Sequence, residues 1–330
     1  MSYPIPFEQP LHLAVDSVRT YGGYDRYTRH PGASPLTGDP GPGDIRVGQV
    51  FVHSRVPVEV GGAPIVMLHG ANRTGVTFET TPDGREGWAT WFVRRGHPVH
   101  VVDHAGRGRS GFDPTDVNAI RAGDTDTKAP NLFLGTKSRI WVNARIGPRY
   151  PEPFTNIRFP VEAFDRMVDR TVPNAETTLD GGSEHTILGV LELLDDVGPA
   201  VLLVHSQGGL FGIEITRRRP DLVSAIVSIE GGSHTITPEV ARLAFGSTPF
   251  LSVWGDNSHG AAGVNGDERR TGCVSAVSTI TEAGGMATFL LLPALGIEGN
   301  SHIMMMDTNS IEVAGVVEDW LAEACDGRTE

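Results

Sequence analysis

The stretch Ala200-Val201-Leu202-Leu203-Val204-His205-Ser206-Gln207-Gly208-Gly209-Leu210 decides the fold. Its first five residues are wholly apolar, and a short unbroken apolar run is a strand buried on both faces. Residues 210–219 carry a helical pattern closed by Pro220. A buried strand that turns straight into a helix belongs to a parallel sheet covered by helices. A serine at that turn stands on sharp, strained backbone, so its hydroxyl projects from the sheet edge, and small neighbours avoid clashes there. The helix behind it aims backbone N–H groups at any negative charge forming on a bound carbonyl. Ser206 is therefore a candidate nucleophile.

Outward from this stretch, apolar runs alternate with helical patterns. Strands are expected over residues 49–58, 64–68, 99–102, 222–229, 249–254 and 288–292. Helices are expected over 87–95, 186–197 and 311–321. The fold class is thus α/β: a mostly parallel sheet with helices on both faces, in a single domain over residues 1–330. Residues 20–47, with Gly22-Gly23 and a Gly/Pro-rich run after Gly38, read as loop. Residues 112–184 lack a comparable buried strand but hold Phe133, Trp141, Tyr150, Phe154, Phe159 and Phe164. Such a long insert with many aromatic residues is expected to be an ordered cap, with Phe154 and Phe159 as pocket candidates.

Lys plus Arg number 27 against 40 Asp plus Glu, a formal net charge of −13 over 330 residues. That balance excludes nucleic acid as a partner, which needs a basic face, and an anionic membrane surface. The apolar run 286–297 is broken by Thr288 and Pro293 and is too short to span a membrane. The N-terminal residues show no basic segment followed by an apolar one, so no signal peptide is read and the cytoplasm is expected. Cys273 and Cys325 are too few for a disulfide framework and read as two packed thiols. A small molecule is the expected partner, and a homodimer is left open as the assembly.

Two nucleotide signatures fail on context. Gly106-Arg107-Gly108-Arg109-Ser110-Gly111 has the spacing of a dinucleotide loop, but Phe112-Asp113-Pro114 opens no apolar helix to hold a pyrophosphate. Gly135-Thr136-Lys137-Ser138 lacks the Gly-Lys pair of a phosphate loop. His69-Gly70-Ala71 ends the strand 64–68, where a backbone N–H faces a neighbouring strand end. The backbone N–H groups of Ala71 and Gln207 are the candidate oxyanion donors. Of the histidines after Ser206, namely His234, His259 and His302, His302 lies in a loop between the last strand and the terminal helix. Such a loop overhangs the serine, so His302 is the candidate base. His205 alternates away from the serine hydroxyl and is read as an orienting group. Two acids are candidates: Glu230, which ends strand 222–229, and Asp256, which follows strand 249–254. Adjacent strand ends lie about 5 Å apart, so both can reach one imidazole; Glu230 is preferred, on this geometry together with the resemblance given below.

Taken together, Val204 through Gly208 resemble the nucleophile elbow of the α/β-hydrolase superfamily, with Val204 in the place of the usual first glycine. More narrowly, residues 44–325 resemble bacterial carboxylesterases that carry the acid of the triad after the sixth strand. Glu79-Thr80-Thr81-Pro82-Asp83-Gly84-Arg85, Gly147-Pro148-Arg149-Tyr150-Pro151, Ser228-Ile229-Glu230 and Gly299-Asn300-Ser301-His302 carry that likeness. It implies Ser206, His302 and Glu230 as triad, Ala71 and Gln207 as oxyanion donors, ester hydrolysis through an acyl-enzyme, and no metal or organic cofactor. The group's type member has a vicinal cysteine pair after His-Gly; here Ala71-Asn72 stands instead. A lactonase, amidase or acyltransferase on the same fold, and a non-catalytic receptor, are the competing readings; Ser in place of Asp at the elbow argues against a dehalogenase.

Overall fold

The computed structural model describes residues 10–174, 182–232, 236–258 and 266–326. Eight strands form one sheet: β1 (Leu13–Thr28), β2 (Gly43–Pro57), β3 (Ile65–Leu68), β4 (Val99–Asp103), β5 (Ala200–His205), β6 (Val223–Ile229), β7 (Phe250–Trp254) and β8 (Ala287–Leu291). Their order is β1-β2-β4-β3-β5-β6-β7-β8, parallel from β4 to β8 and antiparallel at β1–β2 and β2–β4. The expected strands are all present. The expected loop over 20–47 is corrected: much of it belongs to the β1–β2 hairpin. β1 lies at the sheet edge with half of its residues exposed and only two buried, so it has no apolar run to betray it.

Strand alternation divides the core into two layers. Ile65, Met67, Val201 and Leu203 face one apolar cluster, and Val66, Leu68, Leu202 and Val204 face the other. Helices α1 (Val76–Glu79) and α2 (Trp88–Val93) follow β3. Trp88, Trp91 and Phe92 of α2 join the first cluster with Val313, Val317 and Leu321 of the terminal helix.

Between β4 and β5 run α3 (Thr115–Arg121), α4 (Lys137–Asn143), α5 (Phe164–Val168) and α6 (Gly182–Val197). Residues 182–184, placed at the end of the expected insertion, belong to α6, which packs on β1 and β2. Its aromatic residues pack on one another: Trp141 meets Tyr150 edge-on at 5.4 Å and Phe164 at 4.9 Å between ring centres. After β5 come α7 (Gly208–Arg218), α8 (Pro238–Ala244), α9 (Gly266–Glu282) and α10 (Ser310–Asp326). Sequence periodicity does not reveal α9, whose buried side chains beyond Gly266 are Cys273, Ala276 and Ile280. Cys273 is buried and its thiol donates to the Gly231 carbonyl; the Cys325 side chain lies outside the described residues. No described helix is long and apolar enough to cross a membrane.

Candidate active site

Ser206 follows β5 directly and has φ +52°, the left-handed region that a β-carbon disfavours. Hydrogen bonds on both sides hold it there: its N–H donates to Ile229 O (3.2 Å), and its carbonyl accepts from Gly209 N (3.1 Å) and Gly232 N (2.9 Å). The next helix starts at Gly208, where a β-carbon would stand 2.6 Å from Leu68 O and 2.9 Å from His69 O. Glycine is thus what lets α7 begin against the end of β3.

His302 reaches the serine from the loop after β8. The Ser206 hydroxyl lies 3.0 Å from His302 Nε2, and His302 Nδ1 lies 2.6 Å from Glu230 Oε2. With the carboxylate at Nδ1, the ring proton sits there and Nε2 is left to accept from the serine. Two carboxylates tie down the loop. Asp256 accepts from Gly299 N, Asn300 N and Asn156 Nδ2 at 2.9–3.1 Å. Asp307 accepts from Ser301 N (2.7 Å), Ser301 Oγ (2.6 Å) and Asn300 Nδ2 (3.1 Å). Asp256 is therefore spent on the loop backbone rather than on the imidazole. His205 Nε2 donates to the His302 carbonyl (2.9 Å), which agrees with an orienting role. His234 and His259 lie outside the described residues.

Glu230 also has positive φ (+44°) and is fully buried. Arg145 Nη1 lies 2.5 Å from its Oε2, and Gly255 N–H donates to Oε1 (3.1 Å). Arg269 Nη2 donates to its main-chain oxygen (3.0 Å). Burial alone would raise this carboxyl; Arg145 and His302 outweigh it and hold the group well below the usual range. Burial lowers His302 to about 4, against the upward pull of Glu230. The imidazole is thus neutral near pH 7, as a proton acceptor must be.

The glycine-rich stretch after β4 turns out to serve the same site. Arg107 Nη1 donates to Gly70 O (2.9 Å) and Nη2 to Gln207 Oε1 (2.6 Å). One buried guanidinium thus fastens the two segments that carry Ala71 and Gln207. Asn72, also at positive φ (+54°), binds the insertion: its N–H donates to Asn174 Oδ1, and its Nδ2 donates to Phe133 O and Val172 O.

Ser206 and His302 line a cavity of about 170 Å³, with Ala71, Arg73 and Arg269 and with Phe133, Ile140 and Asn143 from the insertion. Phe154 and Phe159 are not among its lining residues, which corrects that expectation. Phe159 is 2% exposed in the cluster that holds Trp141 and Phe164; packing of the insertion has claimed it. A larger cavity of about 710 Å³ lies between the β1–β2 hairpin and residues 105–130, and holds none of these reactive groups. Among the described residues no group of three His, Cys, Asp or Glu side chains is placed to hold a metal ion.

No family model matches the chain. The solved structure of a bacterial esterase superposes on 96% of this chain and 98% of its own, with a TM-score of 0.89 and 34% sequence identity. The chain belongs to the α/β-hydrolase esterases. A probable secreted lipase from a fungal species is 27% identical over 307 residues, covering 78% of this chain and 81% of that protein. The esterase is thus a carboxylic ester hydrolase on an eight-stranded, mostly parallel sheet, and the non-catalytic receptor reading falls. Sequence reasoning missed Arg107, Arg145 and Arg269 of this esterase: Arg107 stands in a glycine-rich stretch weighed only as a nucleotide loop, Arg145 and Arg269 stand in no motif, and the contacts of all three form only when distant segments meet.

Proposed function

We propose that the esterase cleaves small carboxylic esters through an acyl-enzyme on Ser206, with His302 as base and Glu230 as its acid. The observation that carries this is the unbroken line from Ser206 Oγ through the His302 ring to Glu230, at a cavity wall. In the first half-reaction Nε2 takes the hydroxyl proton as Oγ attacks the ester carbon. Glu230 holds the ring tautomer and stabilises the imidazolium. The backbone N–H groups of Ala71 and Gln207 receive the oxyanion. The alcohol leaves with the proton from Nε2, and water then attacks the acyl group with the same base, releasing the acid and restoring the serine. The insertion stands over the cavity as a cap, with Phe133 and Ile140 forming its apolar wall.

Ser206→Ala is expected to lower turnover of 4-nitrophenyl butyrate by a factor of about 10³ or more, with circular dichroism and Tm close to the parent. A fluorophosphonate probe should label the parent and not the variant. Turnover or labelling that survives Ser206→Ala would falsify the nucleophile assignment.

A further inference from the structure

The cavity beside Ser206 has the opposite electrostatic character from the molecule around it. The chain carries a formal charge of −13. Yet among the described residues lining the cavity two are charged in every state, Arg73 and Arg269, and no Asp or Glu lines it. Arg73 comes directly after the loop that holds Ala71 and is only 7% exposed. A guanidinium buried that far is costly unless a carboxylate answers it. Its Nη1 rests against the Met167 sulfur, a weak acceptor. No acidic side chain of the described residues offsets its burial. Its field falls on the His205 ring, beside the serine. Arg269 leans on the Glu230 carbonyl, and Glu230 already has Arg145, so positive charge exceeds negative around the reacting groups.

We propose that Arg73 binds a free carboxylate carried by the substrate, so that the preferred esters are monoanionic, such as short half-esters of dicarboxylic acids. This rests on the esterase reading above and narrows its substrate class. Water adds across the ester C–O bond as before, releasing an alcohol and an acid; the second carboxylate takes no part in the chemistry and is held by the guanidinium. Arginine suits this role because its planar donors match a carboxylate in two parallel hydrogen bonds. The small cavity favours a short chain between the two carboxyl groups.

The test compares two pairs of esters matched in size, by acid release in a pH-stat. Monomethyl adipate against methyl hexanoate places the charge on the acyl side. Carboxymethyl butyrate against ethyl butyrate places it on the alcohol side. The parent enzyme should favour the anionic member of at least one pair by about tenfold or more in kcat/KM, chiefly through KM. Arg73→Met should cut that ratio about ten- to a hundredfold, while Arg73→Lys keeps part of it. Raising salt to about 0.5 M should raise KM for the anionic ester more than for its neutral partner. A ratio near or below one in both pairs for the parent enzyme overturns the proposal, as does a ratio that Arg73→Met leaves unchanged. If Arg73→Met does not fold, the parent ratios and Arg73→Lys decide. Loss of neutral-ester turnover in Ser206→Ala beside a flat ratio removes the carboxylate site and keeps the serine esterase. Turnover of both members by Ser206→Ala removes both.

Discussion

At Ser206 and Glu230 two non-glycine residues hold left-handed backbone at the ends of adjacent strands. Each such residue costs about 1–3 kcal/mol, and the surrounding bonds to Ile229, Gly209, Gly232 and Val253 make the conformation obligatory. The strain turns one side chain up toward the imidazole from each strand. The two candidate acids are told apart by what their oxygens accept. Glu230 faces His302 Nδ1 and Arg145, whereas Asp256 faces main-chain N–H groups. Glu230→Gln should therefore lower kcat by about 10²–10⁴ through loss of the correct tautomer and of the imidazolium's partner. Asp256→Asn should cost under about tenfold, because an amide oxygen still accepts from Gly299 and Asn300. Kinetics of the two variants side by side check this; a larger loss from Asp256→Asn would reverse the roles.

At the scale of elements, the join of β5 to α7 depends on the absence of a side chain at Gly208. Gly208→Val sets a β-carbon against Leu68 O and His69 O, both backbone atoms that cannot swing aside. It should lower Tm by several degrees and activity by more than the loss of stability explains; a Tm and kcat equal to the parent would contradict the packing. The central strands were legible because burial on both faces leaves them almost wholly apolar. Ser206 and His302 were singled out by chain order and strand ends, and Glu230 by its strand end together with the family resemblance; the three lie within hydrogen-bond reach of one another. The β1 edge strand was not, since solvent contact removes the pattern. Phe159 was ambiguous for a related reason: an aromatic residue in an insertion serves packing as readily as binding, composition does not tell which, and here it packs in the cluster with Trp141 and Phe164. Arg145 and Arg107 were illegible because each acts across segments far apart in sequence, joined only by folding.

Over the whole molecule, His69, His100, His104, His205 and His302 are buried, and burial lowers each. His69 falls to about 3, and His100 and His302 to about 4. A histidine whose folded pKa is depressed takes up its proton on unfolding. The stability that depends on its neutral form is whole above about pH 6.5 and is lost as pH falls toward the folded value. His53, raised chiefly by Glu79, and His97, where Glu318 outweighs burial, act in the opposite direction. So does Asp307, raised to about 7 by burial. The five deep imidazoles outweigh these three, so Tm should fall steadily between about pH 6 and pH 4; a Tm that is flat or rises across that window would contradict the burial of the histidines. Of these, His302 faces the serine hydroxyl and His205 holds the His302 carbonyl, which joins acid sensitivity of the fold to the site itself. The most direct test is to quench the enzyme with acid during turnover of a slowly deacylated ester and map the modified peptide by mass spectrometry. An added acyl mass on Ser206, absent from Ser206→Ala, is the predicted result; an acyl group on another residue, or none under conditions where the alcohol is released in a burst, would contradict it.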